Sequence, residues 1–437
     1  MRILSLTAFG LTLVGAAVAA PVPAPTFAKD VAPILENHCQ ECHRPGEAAP
    51  MSLLSYQEAR PWAKSIKAAV LSKKMPPWPA DPSVGHFAND RSLTQHDRDT
   101  LVAWVDAGAP EGNKKDLPAP RKFVEGWNIG TPEQVIEMPE TFNIPASGTI
   151  DYQYVILPLN LKQDAWVQAA EVRPGNRALV HHVIAFIREP GSKWMRDKKP
   201  GEVFVPQKNE RGERQEFAGD LLCGFAPGLP ATVLEPGTGR LLKAGSDIVL
   251  QLHYTANGKA GTDKTKVGIV FAKQPPAQRV LTLAAANNKF VIPAGDPNYR
   301  VDSEFEFNHD VQLRAFLPHM HLRGKDFDYR LILPTGETQE LLRVPHYDFS
   351  WQLWYNEAKP LDIPKGAKIA CTAHYDNSPN NAANPDPSKE VRYGDQSWEE
   401  MMIGFFDVTI PADMDPRLIM PERKPQPKRT AAGAGAN

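Results

Sequence analysis

Cysteine is scarce in this chain, with four in 437 residues. That excludes a fold framed by disulfides, since such scaffolds set several cysteine pairs in a short sequence. Net charge is nearly absent too. Lys and Arg number 49 against 51 Asp and Glu, a formal −2, so no basic surplus argues for a nucleic-acid partner. Beyond the first twenty residues no run is long and apolar enough to span a bilayer. What the chain has in quantity is proline (42) and glycine (30), which marks many loops and turns.

Residues 1–20 hold a single basic residue, Arg2, then an apolar run from Ile3 to Ala20 that ends in small residues. This is the pattern of a secretory signal peptide cut near Ala19 or Ala20, and it places the mature protein in the periplasm or outside the cell. The remainder, about 415 residues, is enough for two to four domains. The tail 413–437 turns basic, Pro-rich and then Ala/Gly-rich beyond Pro421, and reads as disordered.

The sharpest motif is Cys39-Gln40-Glu41-Cys42-His43. Two cysteines with two residues between them, followed at once by histidine, is the attachment pattern of a c-type haem. Each thiol can add to a porphyrin vinyl group, and His43 becomes the proximal iron ligand. A zinc site would need more Cys or His nearby, and only His38 is close. Helical patterns over Phe27–Leu35 and Leu93–Asp106, the second stopped by Gly108, frame a small all-α cytochrome c domain over residues 25–113. Met75, in Lys74-Met75-Pro76-Pro77-Trp78, is the first choice for the second axial ligand, because proline stiffens the loop that would hold its thioether. Met51 is the alternative, with His86 and His96 behind it.

From about Gly126 the texture changes to short alternating runs between Pro/Gly turns, the signature of antiparallel sheets. Gly245-Ser246-Asp247-Ile248 runs to His253-Tyr254, and Gly366-Ala367-Lys368-Ile369 runs to His374-Tyr375 at the same spacing. Ile144-Pro145-Ala146 is echoed by Ile292-Pro293-Ala294. This repetition suggests two related β-sandwich domains, 126–275 and 276–412.

Histidines cluster within the repeats. His319 and His321 are two apart and share a face of an extended chain. His181 and His182 are adjacent, so both can reach one metal only if the strand bulges or turns there. A lone strand histidine is usually structural, and paired histidines in each repeat weigh against that reading here. His374, the repeat counterpart of His253, reads as a structural sheet histidine, with a role in orienting a ligand as the sharper alternative.

On these residues the region 126–412 resembles the copper type II, ascorbate-dependent monooxygenases, the group of peptidylglycine α-hydroxylating and dopamine β-monooxygenases. The resemblance implies two all-β jelly-roll sandwich domains, each carrying one copper ion. His181, His182 and His253 match the ligands of one copper, and His319, His321 and Met401 those of the other. Met402, adjacent to Met401, competes for the thioether role. The resemblance implies that O₂ is activated at the His319/His321/Met401 copper, and that the other copper passes an electron. Three imidazoles suit a copper that cycles between two oxidation states, and a thioether favours the reduced one.

Departures bear on the substrate. Where the peptide-hydroxylating branch grips a carboxylate, this chain has Leu317, Ile403 and Phe405. A peptide ending in glycine is therefore not the expected substrate, and a small apolar or neutral molecule is. Cys371 matches a family cysteine whose partner would sit at Met402, so that bridge cannot form; Cys223 and Cys371 pair with each other or stay free. The expected protein is an exported copper-dependent monooxygenase with two copper ions and one covalently bound haem c. The haem serves as electron inlet from an external donor, an ascorbate-like reductant or a redox protein. The competing reading is an electron-transfer or copper/redox-sensing haem-copper protein that makes no product.

Overall fold

The computed structural model describes residues 23–47, 49–206 and 220–421. The signal peptide over 1–20 and all but the first nine residues of the expected disordered tail lie outside them. The described part of that tail is ordered: Pro416–Ile419 forms a helical turn and Ile419 is fully buried.

The chain is mostly β, with 36% of residues in strands against 12% in helices. Period-two patterning makes the strands. In Tyr299–Glu306, for example, Val301, Ser303 and Phe305 turn inward while Arg300, Asp302, Glu304 and Glu306 stay in water. A five-stranded sheet runs in the order Val203–Phe204, Gln153–Pro158, Asp247–Tyr254, Val180–Arg188, Asp220–Phe225. A four-stranded sheet runs Tyr299–Glu306, Lys368–Tyr375, Gly324–Ile332, Thr338–Val344. Both face opposite halves of one nine-stranded sheet. One core lies between the five-stranded sheet and the first half, around Val155, Val183, Leu250 and Ile269. The other lies between the four-stranded sheet and the second half, around Phe316, Tyr329, Ile369 and Phe406.

One finding joins the two sandwiches, and a second corrects the expected architecture. First, the sandwiches share one sheet. Thr238–Leu242 and Gln278–Asn287 pair in parallel at Thr238↔Gln278 and Gly239↔Arg279, which makes the large sheet continuous across the repeat boundary. Arg240, 1% exposed, pins this seam by donating to Asp407 at 2.7 Å and to Asp220 at 3.4 Å.

Second, the described residues hold no sizeable all-α cytochrome c domain. Among them α-helix is confined to short pieces, Ala32–His38, Tyr56–Ala59, Ala63–Leu71 and Gln95–Asp106. They form a small cap around Phe27, Leu35, Leu101 and Trp104. Thr94 caps the last of them, accepting from the Asp97 N–H, and Gly108 ends it at φ +86°. The stretch that would complete a helical domain leaves the cap. Pro76, Pro77 and Pro79 rule out helix there. Apolar side chains beyond them find burial on the second sandwich instead: Trp78 sits 4.8 Å from Tyr355, Phe87 sits 5.5 Å from it, and Ala80 joins that core. Gly85 permits the close approach, since a Cβ there would fall 2.6 Å from the Leu341 carbonyl.

Asp247–Tyr254 and Lys368–Tyr375, the two segments with matching sequence, are each an interior strand of their smaller sheet. Cys223 and Cys371 are buried free thiols in different cores, which settles their pairing.

Candidate metal centre

His253, the last but one residue of its strand, pairs with His182, and the next pair is Tyr254↔Val180. His181 is therefore the extra residue of a β-bulge, the irregularity an adjacent histidine pair needs to face one point. The ligand-capable atoms of His181, His182 and His253 lie within 4.8 Å of one another, and among the described residues no other group of three His, Cys, Asp or Glu could hold a metal ion. Nδ1 of His181 and Nδ1 of His182 are 3.1 Å apart. His253 Nδ1 is buried without a hydrogen-bond partner, while its Nε2 lies 3.3 Å from the Ser397 hydroxyl. A buried ring nitrogen left unpaired is a cost unless something binds there, so the donor set fits a metal.

His319 and His321 have ring centroids 5.2 Å apart, and both residues are buried. Their Nδ1 atoms are taken: His319 Nδ1 lies 2.9 Å from the Gln352 side-chain oxygen, and His321 Nδ1 lies 3.2 Å from the Glu399 carbonyl. Both oxygens accept, so each Nδ1 carries the proton and each Nε2 keeps its lone pair for a metal. His321 Nε2 is buried with no partner. The buried Glu400 side-chain oxygens accept from the N–H of His321 at 2.8 Å and of Arg323 at 2.6 Å.

Met401 follows directly on Glu399 and Glu400. Val311–His319 and Met402–Pro411 pair antiparallel, and the ladder ends at His319↔Ile403. Met320 and Met402 are fully buried in the core. Met401, just before its strand, is half-buried, which makes it the less packed of the two neighbouring thioethers, and Met402 is a packing residue.

The two histidine groups share one compartment. The Tyr152 ring lies 4.5 Å from His253, 5.4 Å from His182 and 6.5 Å from His321. The Phe349 ring stacks on His181 at 4.9 Å and lies 6.1 Å from His253 and 5.8 Å from His321. Burial holds every imidazole neutral. It pushes His181 and His319 down to about 4 and His321 to about 3, and it lowers His182 and His253 well below the usual imidazole value. Five neutral imidazoles in a desolvated space are five available ligands at neutral pH.

Cys39, Cys42 and His43 are brought together in the turn that follows Ala32–His38, with His43 N–H and Cys42 N–H both donating to the Cys39 carbonyl. Both thiols are free. His43 Nδ1 lies 3.2 Å from the Met51 carbonyl, which orients the ring and leaves Nε2 open. The residues fit a covalently attached haem. Met75 lies in the turn after Ala63–Leu71, its N–H on the Ala69 carbonyl, and it is Met51 whose backbone holds His43. The turn is fastened to the first sandwich by Glu47, which pairs with Arg177, four residues before His181.

His374 bonds Asp326 at 2.6 Å across the sheet, so it reads as structural. Sequence reasoning missed Tyr152, Phe349, Gln352, Ser397 and Glu400. For Phe349 and Gln352 the signal was an aromatic-rich stretch, Phe349-Ser350-Trp351-Gln352-Leu353-Trp354, set in a region of turns; Tyr152, Ser397 and Glu400 carried none.

No family model matches the sequence, and no curated protein does. Among solved structures, the chain is similar to that of infectious bursal virus derived T=1 particles at 10% identity and TM-score 0.19, covering 64% of this chain and 70% of that chain. It is similar to PNGF-II at 9% identity and TM-score 0.27, covering 64% of each. At those TM-scores neither likeness bears on fold or function.

Proposed function

We propose that this chain is an exported copper-dependent monooxygenase that hydroxylates a C–H bond of a small organic substrate with O₂. The observation that carries the reading is the convergence of five neutral imidazoles, four buried and His181 half-buried, in two groups, His181/His182/His253 and His319/His321, around Tyr152 and Phe349; Met401 is the thioether we assign to the second group. Copper held there would supply one-electron redox chemistry and the activation of O₂. The chain's own residues do the rest. Ser397, Gln352 and the Glu399 carbonyl set the ring orientations. Tyr152 and Phe349 keep the space between the groups apolar.

The surface beside His319 supports a neutral substrate. Leu317 pairs with Phe405 and His319 with Ile403, so these side chains share one face. None of the three apolar residues can neutralise a carboxylate. A haem on Cys39, Cys42 and His43, fed by an external reductant, would supply electrons; the Glu47–Arg177 pair ties its turn to the loop leading into His181.

The test is a screen of small apolar substrates under ¹⁸O₂ with the copper-loaded, reduced protein. Labelled product at two coppers per chain is the expected result. Stoichiometric copper and haem with no labelled product from any substrate would leave an electron carrier in its place.

A further inference from the structure

We infer that Phe349 is a fixed size filter for the compartment between the two histidine groups, limiting access to small or slender ligands; the inference rests on the metal-site reading above. Phe349 is half-buried, stacked on His181 on one side and edge-on to His321 on the other. Its interplanar angles, 16° with His181 and 82° with His321, show a ring wedged between the groups rather than resting on one.

The loop that carries it is pinned on both sides. Tyr347 donates its hydroxyl to the Met320 carbonyl at 2.8 Å, accepts from the Met320 N–H at 3.1 Å, and donates its own N–H to the Lys325 carbonyl at 2.9 Å. Three residues after Phe349, Gln352 holds His319. Two further on, the Trp354 carbonyl accepts from Asn89 at 2.8 Å, a residue of the arm that leaves the helical cap. Swinging the loop outward would release His319 from Gln352 and strip the arm from Trp354. Phe349 can therefore yield only by its own side-chain rotation. A ligand must fit past the ring, and beside His319 the paired strands present Leu317, Ile403 and Phe405, which reward apolar surface.

The experiment uses full-length copper(II)-loaded protein and two exogenous ligands, azide and 4-phenylimidazole, titrated by absorption and EPR. Wild-type protein should bind azide and discriminate against 4-phenylimidazole. Phe349→Ala should tighten 4-phenylimidazole about tenfold or more with azide within about twofold, and Phe349→Leu should fall between them. A loaded Phe349→Ala protein with unchanged azide-to-phenylimidazole preference overturns the filter and leaves the metal site standing. A protein that takes up no copper overturns the metal reading and this inference together. Azide tightening as much as 4-phenylimidazole also overturns it, since the ring would then be altering the metal and not its access.

Discussion

Acid should unfold this protein partly through its buried imidazoles, and the share is separable. His319 is pushed down to about 4 and His321 to about 3, both by burial first, against about 6.5 in an unfolded chain. A group whose folded pKa is depressed contributes stability that is fully present above the unfolded value and is lost as pH falls below it. Between pH 7 and 5.5 the unfolded chain takes up a proton at each ring while the folded one does not. The loss is about 1.2 kcal/mol per ring, or about 2.5 kcal/mol for the pair. Carboxyls work the other way. Burial raises Glu400 to about 8 and Glu357 to about 7, so both favour folding as pH falls through that window. The raw pH dependence is thus a difference of opposing effects. Comparing wild type with His319→Gln/His321→Gln removes the rings and keeps the carboxyls. Urea unfolding of both metal-free proteins at pH 7.0 and 5.5 should show the variant losing about 2.5 kcal/mol less than wild type. Equal pH dependence in the two proteins would refute the claim that these rings are buried and neutral.

Four further outcomes follow from named contacts. Ser397→Ala should weaken copper at the three-histidine group about tenfold or more by freeing the His253 ring, and Ser397→Thr should restore it, as read by calorimetric titration. Met401→Leu should weaken Cu(I) in a competition titration with little change in stability, whereas Met402→Ala should cost about 2–5 kcal/mol in urea through its core cavity. Arg240→Ala should cost about 1.5–3 kcal/mol by removing the charge-assisted hydrogen bonds to the half-buried Asp407 and Asp220, again by urea. Cys39→Ser/Cys42→Ser should abolish haem that survives acid–acetone extraction, and haem retained by that variant would exclude thioether attachment.

Much of the site was legible because ligand chemistry is a property of residue type and spacing. The Cys-x-x-Cys-His turn, the adjacent histidines and the His-x-His pair stand out in any reading of the chain. The bulge at His181 was a stated requirement of the adjacent pair, and the ladder supplies it. The residues that tune the rings were not legible. Gln352 and Ser397 are 33 and 144 residues from the histidines they hold, and a lone Gln or Ser in a turn carries no mark of its distant partner. The all-α domain failed for a related reason. Helical periodicity is local, but the destination of Trp78 and Phe87 depends on which apolar surface lies within reach.

By itself the sequence determined the donor atoms, the alternation that makes the strands, and the tandem arrangement that sets one histidine group in each repeat. All three follow from short-range chemistry and period. Only the tertiary structure decided that the repeats share a continuous sheet, that the segment after Met75 belongs to the second sandwich, and that two histidine groups meet around Tyr152 and Phe349. Those outcomes depend on burying apolar surface between segments far apart in the chain, and that free energy exists only once the segments are packed together.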